Sequence, residues 1–197
     1  MTLFNKLFNK KANKPAWYLT LSLNARVMPV DRGTLFEDVI YYALKKLRIG
    51  TVDGGGTLMD DATGEIKSCD IEIYLNEKSD VNYQKLQSIL ATLNVPKGSF
   101  LISEDERQEI GDLEGLAIYI NGTDLDSEIY KSCDINYVIA ELIKLLGSKH
   151  KYYSHWEGSN ETALYFYGKS FDTMKILIIP FVEEYPLCQK SRITQIA

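Results

Sequence analysis

Two stretches of this chain lay down hydrophobic residues in the same order of periods, and this repeat limits the possible folds most. The first stretch opens with Trp17, Leu19, Leu21 and Leu23 alternating with Tyr18, Thr20, Ser22 and Asn24, the period of a half-buried strand. Phe36, Val39, Ile40, Ala43, Leu44 and Leu47 then follow helical spacing, with Gly50 expected to end the helix. A hairpin can be drawn around the Gly-rich segment that follows. Its second strand carries Cys69, Ile71, Ile73 and Leu75 on one face, and Asp70, Glu72 and Tyr74 on the other. Asp80 is a candidate N-cap for a helix bearing Tyr83, Leu86, Ile89, Leu90 and Leu93, which Pro96 ends. Phe100 to Ile102 makes a short last strand.

The second stretch repeats that order. Leu116, Ile118 and Ile120 alternate with Ala117, Tyr119 and Asn121, and a helix carries Ile135, Val138, Ile139, Leu142, Ile143 and Leu146, closed by Gly147. A hairpin from Lys151 to Trp156 and Thr162 to Tyr167 turns through Glu157-Gly158-Ser159-Asn160. The next helix, starting after Ser170 or Asp172, contains Pro180, where a kink or restart is expected. Arg192 to Ile196 closes the copy. Asn24 and Asn121 lie 97 residues apart, as do Gly50 and Gly147, while Pro96 and Pro186 lie 90 apart, which fits a shorter second hairpin.

Strand, helix, two strands, helix, strand is the order of a ferredoxin-like unit. The sequence therefore predicts an α+β chain of two tandem ferredoxin-like β-α-β-β-α-β units in a pseudo-two-fold arrangement. The expected parts are a basic leader (1–15), a first repeat (16–103), an acidic linker (104–112) and a second repeat (113–197). The repeats could lie side by side, join edge to edge or pack face to face, and pairing would remove an exposed strand edge.

Charge narrows the partners. The formal net charge of the 197 residues is −5, but the first fifteen carry four lysines and no acid, leaving −9 on the rest. An acidic body argues against nucleic acid, which draws its affinity from clustered Lys and Arg. It suits a basic protein partner through electrostatic steering. Cys69, Cys133 and Cys188 are scattered and form no CxxC pair, as for reduced thiols in a cytoplasmic protein. No stretch reaches the length of a membrane-spanning helix, so stable membrane insertion is not expected. In the leader, Leu3, Phe4, Leu7 and Phe8 share one face of a short basic helix. It reads either as a surface anchor or as a leader tucked against the body, and one or two turns bury too little area to anchor alone.

Four constellations could carry chemistry. Asp53-Gly54-Gly55-Gly56-Thr57 could cradle a phosphate only ahead of a helix N-terminus, and no helix start follows it. Lys67-Ser68-Cys69-Asp70-Ile71 recurs as Lys131-Ser132-Cys133-Asp134-Ile135, but 64 residues on and outside the repeat interval, so it reads as coincidence, with Ser132 or Asp134 as a helix cap. His150, His155, Glu157 and Glu161 are the only histidines with carboxylates nearby, in a hairpin rather than in a helical metal motif. The second hairpin is dense in aromatics. Its face needs cover, which either the other repeat or a partner could supply. The candidate binding residues are Tyr119, Asp134, His155, Trp156, Glu157, Glu161, Tyr165 and Tyr167, with aromatic anchors and carboxylates that select the partner. No nucleophile–base pair, Rossmann fingerprint or P-loop is present, and neither a catalytic residue, a metal nor a cofactor is expected.

Gly115-Leu116-Ala117-Ile118-Tyr119-Ile120-Asn121-Gly122, Trp156-Glu157-Gly158 and Glu161-Thr162-Ala163-Leu164-Tyr165-Phe166-Tyr167-Gly168 resemble an uncharacterised bacterial family of tandem ferredoxin-like proteins. The leader Leu3-Phe4-Asn5-Lys6-Leu7-Phe8-Asn9-Lys10-Lys11 is similar to the starts of small bacterial cytosolic proteins, some of them immunity proteins of toxin systems. The expectation is a non-catalytic protein-binding module, in its most specific form a bacterial immunity protein that neutralises a basic toxin domain. The alternative is a small-ligand-binding or enzymatic α/β-barrel-like domain, with a pocket lined by His155, Glu161 and tyrosines.

Overall fold

The computed structural model describes residues 16–197; the expected leader lies outside them. In the first unit, β1 (Trp17–Leu23) runs antiparallel to β3 (Ile66–Leu75), so that Leu19, Leu21 and Leu23 face Ile73, Ile71 and Cys69 across the pair. These side chains are buried, and each removes apolar area worth about 1.5–3 kcal/mol from water. A helical run covers them: α1 (Pro29–Arg32), a π turn (Gly33–Glu37) and α2 (Asp38–Leu47), which contribute Phe36, Ile40 and Leu44. Then come β2 (Gly50–Met59), α3 (Asp80–Leu90), with Leu86, Ile89 and Leu90 on the core, and β4 (Ser99–Ile102).

The second unit repeats the path with β6 (Glu114–Asn121), α5 (Ile135–Leu146), β7 (Lys151–Glu157), β8 (Glu161–Gly168), α6 (Phe171–Glu184) and β9 (Arg192–Gln195). With β5 (Arg107–Ile110) at one edge, the strand orders are β2-β3-β1-β4-β5 and β7-β8-β6-β9, so the four repeat strands are arranged alike in both sheets. Every pairing between strands is antiparallel. This is the ferredoxin-like topology laid down twice, the α+β fold expected from the periods.

Local details depart from the sequence expectation where tertiary contacts decide. Helix α2 ends at Arg48 in the left-handed region (φ 55°), not at Gly50. Gly50 instead opens β2, where a Cβ would stand 2.2 Å from the Tyr74 carbonyl oxygen. Ser79, not Asp80, caps α3 by accepting from the Asn82 N–H. The expected linker is partly sheet: β5 (Arg107–Ile110) pairs with β4 and adds a fifth strand. A short helix α4 (Ser127–Ser132) precedes α5, which Asp134 caps. Helix α6 runs from Phe171 to Glu184 with Pro180 inside it.

The two sheets do not merge; the one bridge joining the units among the described residues is Pro96 to Leu113. Nor are their faces equivalent. The second sheet keeps Leu116, Ile118, Leu164 and Phe166 under its own helices. Its other face (Ala117, Tyr119, Ala163, Tyr165, Tyr167) joins the core of the first unit. A bulge between Tyr152 and Ser154 turns both Tyr153 and Ser154 to that side. There the Phe36 and Tyr153 rings lie 5.8 Å apart, and the Met28 N–H donates to Ser154 Oγ at 3.0 Å. Among the described residues no element lies over the corresponding face of the first sheet, where Tyr18 is exposed.

Candidate functional site

The eight residues singled out from the sequence divide between the two faces of the second sheet. Tyr119, Tyr165 and Tyr167 are buried at the junction of the units, which corrects the expectation that they form a binding surface. The reason is a polar cluster. Arg26 follows β1 and Glu65 precedes β3, and the two form an ion pair there. Tyr119 Oη and Tyr165 Oη donate to Glu65 Oε1 at 2.6 and 2.8 Å, Arg26 Nη1 donates to Tyr119 Oη at 2.8 Å, and the Arg26 N–H donates to Tyr167 Oη at 2.9 Å. Burial, and then the bond to Glu65, raises the Tyr165 hydroxyl well above its ordinary range. Burial likewise raises Tyr167, and burial followed by the Glu65 bond raises Tyr119. These hydroxyls stay protonated and hold the units together, since a buried polar group is stable only when bonded.

Trp156 packs on the same junction. Glu161 pairs with Arg192, whose guanidinium stacks on the Tyr119 ring at 3.3 Å from its centroid. Asp134, His155 and Glu157 lie instead on the helix side of the sheet and line a cavity of about 730 Å³ between α5 and strands β6–β8. The expected grouping of His150, His155, Glu157 and Glu161 does not form. His150 Nδ1 meets the Leu146 carbonyl at 2.6 Å, His155 lies 3.8 Å from Glu157, and Glu161 is on the opposite face. Among the described residues no group of His, Cys, Asp and Glu is placed to hold a metal ion.

The Gly-rich run has a structural use. Arg32, buried on the helical run, donates from Nη1 to the Gly56 carbonyl at 2.7 Å and to Thr57 Oγ1 at 2.9 Å. A Cβ on Gly55 would stand 2.5 Å from the Asp70 carbonyl and 3.2 Å from Arg32 Cζ. The repeated Lys-Ser-Cys-Asp-Ile string falls on β3 in one copy and across the α4–α5 junction in the other, as its spacing implied. Burial pushes the Cys69 thiol up to about 12 and the Cys188 thiol up to about 11, which suits packing rather than nucleophilic attack.

The outer face of the first sheet, which no other described residue covers, carries no motif that marks it in the sequence. The register places Tyr18 beside Tyr74, Thr20 beside Glu72 and Ser22 beside Asp70, with Phe100 and Glu109 on the neighbouring strands. Tyr18 is 62% exposed, and the Tyr18 and Tyr74 rings meet edge to face with centroids 5.0 Å apart. The Arg107 guanidinium caps Phe100 at 3.8 Å from the ring centroid. Glu104, Asp105 and Glu106 form the adjoining β4–β5 turn. In the sequence Tyr18, Thr20 and Ser22 are the polar half of an alternation, which marks a solvent-facing side and no more.

No protein-family model matches the chain, and no curated protein matches it. Among solved structures the chain is similar to an unknown protein from Galdieria sulphuraria, at 11% identity over 92% of this chain and 98% of that one, with a TM-score of 0.27. It is similar to the ligand-free regulatory subunit of aspartate kinase from Thermus thermophilus, at 12% identity over 84% of this chain and 95% of that one, TM-score 0.26. The first two RRM domains of the yeast poly(U) binding protein share 11% identity over 91% of this chain and 99% of theirs, TM-score 0.24. At these values the fold assignment rests on strand order and register.

Proposed function

We propose that this chain is a non-catalytic binding module that holds a basic protein partner on the open face of its first sheet. The observation that carries this reading is the face of the five-stranded sheet that no other described residue covers. It offers Tyr18 and Tyr74 as anchors among the carboxylates of Asp70, Glu72 and Glu109. Aromatic side chains contribute large contact area at low entropic cost, and surrounding carboxylates speed the approach of a positive partner and select against a negative one. The net charge of −9 outside the leader adds long-range steering of the same sign. In its most specific form the module is a cytoplasmic bacterial immunity protein that neutralises a basic toxin domain. No helix among the described residues is long and apolar enough to cross a membrane, which is compatible with that setting.

The test is binding of the intact chain to the product of each neighbouring open reading frame that encodes a basic polypeptide, for wild type, Tyr18→Ala and the double variant Glu72→Lys/Glu109→Lys. The double variant should bind at least about tenfold more weakly and associate more slowly, with the difference shrinking at high salt. Unchanged affinity in both variants, at unchanged melting temperature, would refute the assignment of this face.

A further inference from the structure

The cavity of about 730 Å³ in the second unit plays no part in the proposed partner face, which belongs to the other sheet. Its volume lies within the ~300–1,000 Å³ of small-ligand sites. Its lining is divided. Ile135 and Ile139 of α5 and Tyr152 of β7, all half-buried, provide apolar surface over a floor of buried Ile120, Leu164 and Leu187. Three carboxylates also line it, each from a different part of the fold: Asp31 from α1 of the first unit, Asp134 from the α5 cap and Glu157 from the end of β7.

Among the described residues the lining holds no lysine or arginine, and its one basic side chain is His155. The His155 ring is already engaged, with Nδ1 3.3 Å from Tyr152 Oη and Nε2 3.8 Å from Glu157. Two of the carboxylates are held in place. Asp31 Oδ2 accepts from Ser154 Oγ at 2.6 Å, and Asp134 Oδ1 accepts the Asn136 N–H at 2.8 Å. The third, Glu157, is largely exposed at the end of β7.

Apolar surface together with negative charge unbalanced by any Lys or Arg selects one chemical class. A neutral apolar ligand would leave the carboxylates unused, and an anion would be repelled by all three of them. From this we infer that the cavity binds a small organic cation, an amine with an apolar body, with the body against the half-buried Ile135, Ile139 and Tyr152 and the ammonium group in the combined field of Asp31, Asp134 and Glu157.

The probe is 2-phenylethylamine, with 2-phenylethanol as the uncharged isostere and 3-phenylpropionate as the anion, each titrated into the intact chain. Calorimetry gives affinities and amide NMR shifts locate the site. The amine should bind, the alcohol at least about fivefold more weakly and the anion not at all, with shifts centred on Gly122, Asn136, Thr162 and Leu164. Glu157→Gln and Asp31→Asn should each weaken amine binding about fivefold. Glu157 has no buried partner, so that variant keeps the test informative if Asp31→Asn unfolds. Equal binding of amine and alcohol, no binding at millimolar amine, shifts centred elsewhere, or unaltered affinity in Glu157→Gln would each overturn the inference. The first-sheet variants Tyr18→Ala and Glu72→Lys/Glu109→Lys should bind the amine normally, so either proposal can fail without the other.

Discussion

Replacing Glu65 with alanine should loosen the junction between the units more than any surface change of similar size. Its carboxylate accepts from the Tyr119 and Tyr165 hydroxyls and pairs with Arg26. Removal leaves two largely buried hydroxyls short of an acceptor and a guanidinium short of its counter-ion. Breaking a buried pair by deleting one partner costs about 3–5 kcal/mol. The Glu65 and Arg26 side chains retain 15% and 23% exposure, so water can reach them and the lower end, about 3 kcal/mol, applies. For a chain of this size each kcal/mol moves Tm by about 2–4 °C, so a fall of roughly 6–12 °C is expected. Glu65→Gln keeps an acceptor and should fall about half as far. Differential scanning calorimetry of both variants, with Tyr119→Phe and the double variant closing a cycle, would give a coupling above about 0.5 kcal/mol if the cluster acts as one unit. A fall of less than about 2 °C for Glu65→Ala, or strict additivity with Tyr119→Phe, would show that apolar packing alone holds the units together.

Two further outcomes are expected. Gly55→Ala should destabilise by about 1–3 kcal/mol in urea unfolding because its Cβ would meet a backbone carbonyl at 2.5 Å, whereas Gly56→Ala, with open space, should stay within about 0.5 kcal/mol; equal effects would break the link between the glycine run and the close approach of Arg32. With a disulfide-exchange reagent at pH 8 and native conditions, Cys133 should react first, because Cys69 and Cys188 are buried with thiols raised to about 12 and about 11. Three thiols reacting at one rate would contradict that packing.

Much of the fold was legible because periods report local geometry. Alternation at Leu19, Leu21 and Leu23 and helical spacing from Val138 to Leu146 each require one buried face, and the chain can satisfy them only in the repeated order seen in both sheets. Helix ends were less legible, because Arg48 and Ser79 do work that Gly50 and Asp80 could equally have done on local grounds. The site was divided for a different reason. Density of tyrosine on β8 signals a face that needs cover, but not whether a partner or the other unit covers it.

The sequence by itself determined two α+β units of one topology, their strands, their helices and an acidic body, since these follow from side-chain period and charge counted along the chain. Only the tertiary structure decided which sheet face is closed and which is open. Arg26 and Glu65 stand 39 residues apart, and both meet tyrosines from about 54 to 141 residues further along, so no local pattern could announce their meeting. Their charges and the Tyr119, Tyr165 and Tyr167 hydroxyls find partners only when the second sheet lies on the first unit, and that match leaves the Tyr18 and Glu72 face to the solvent.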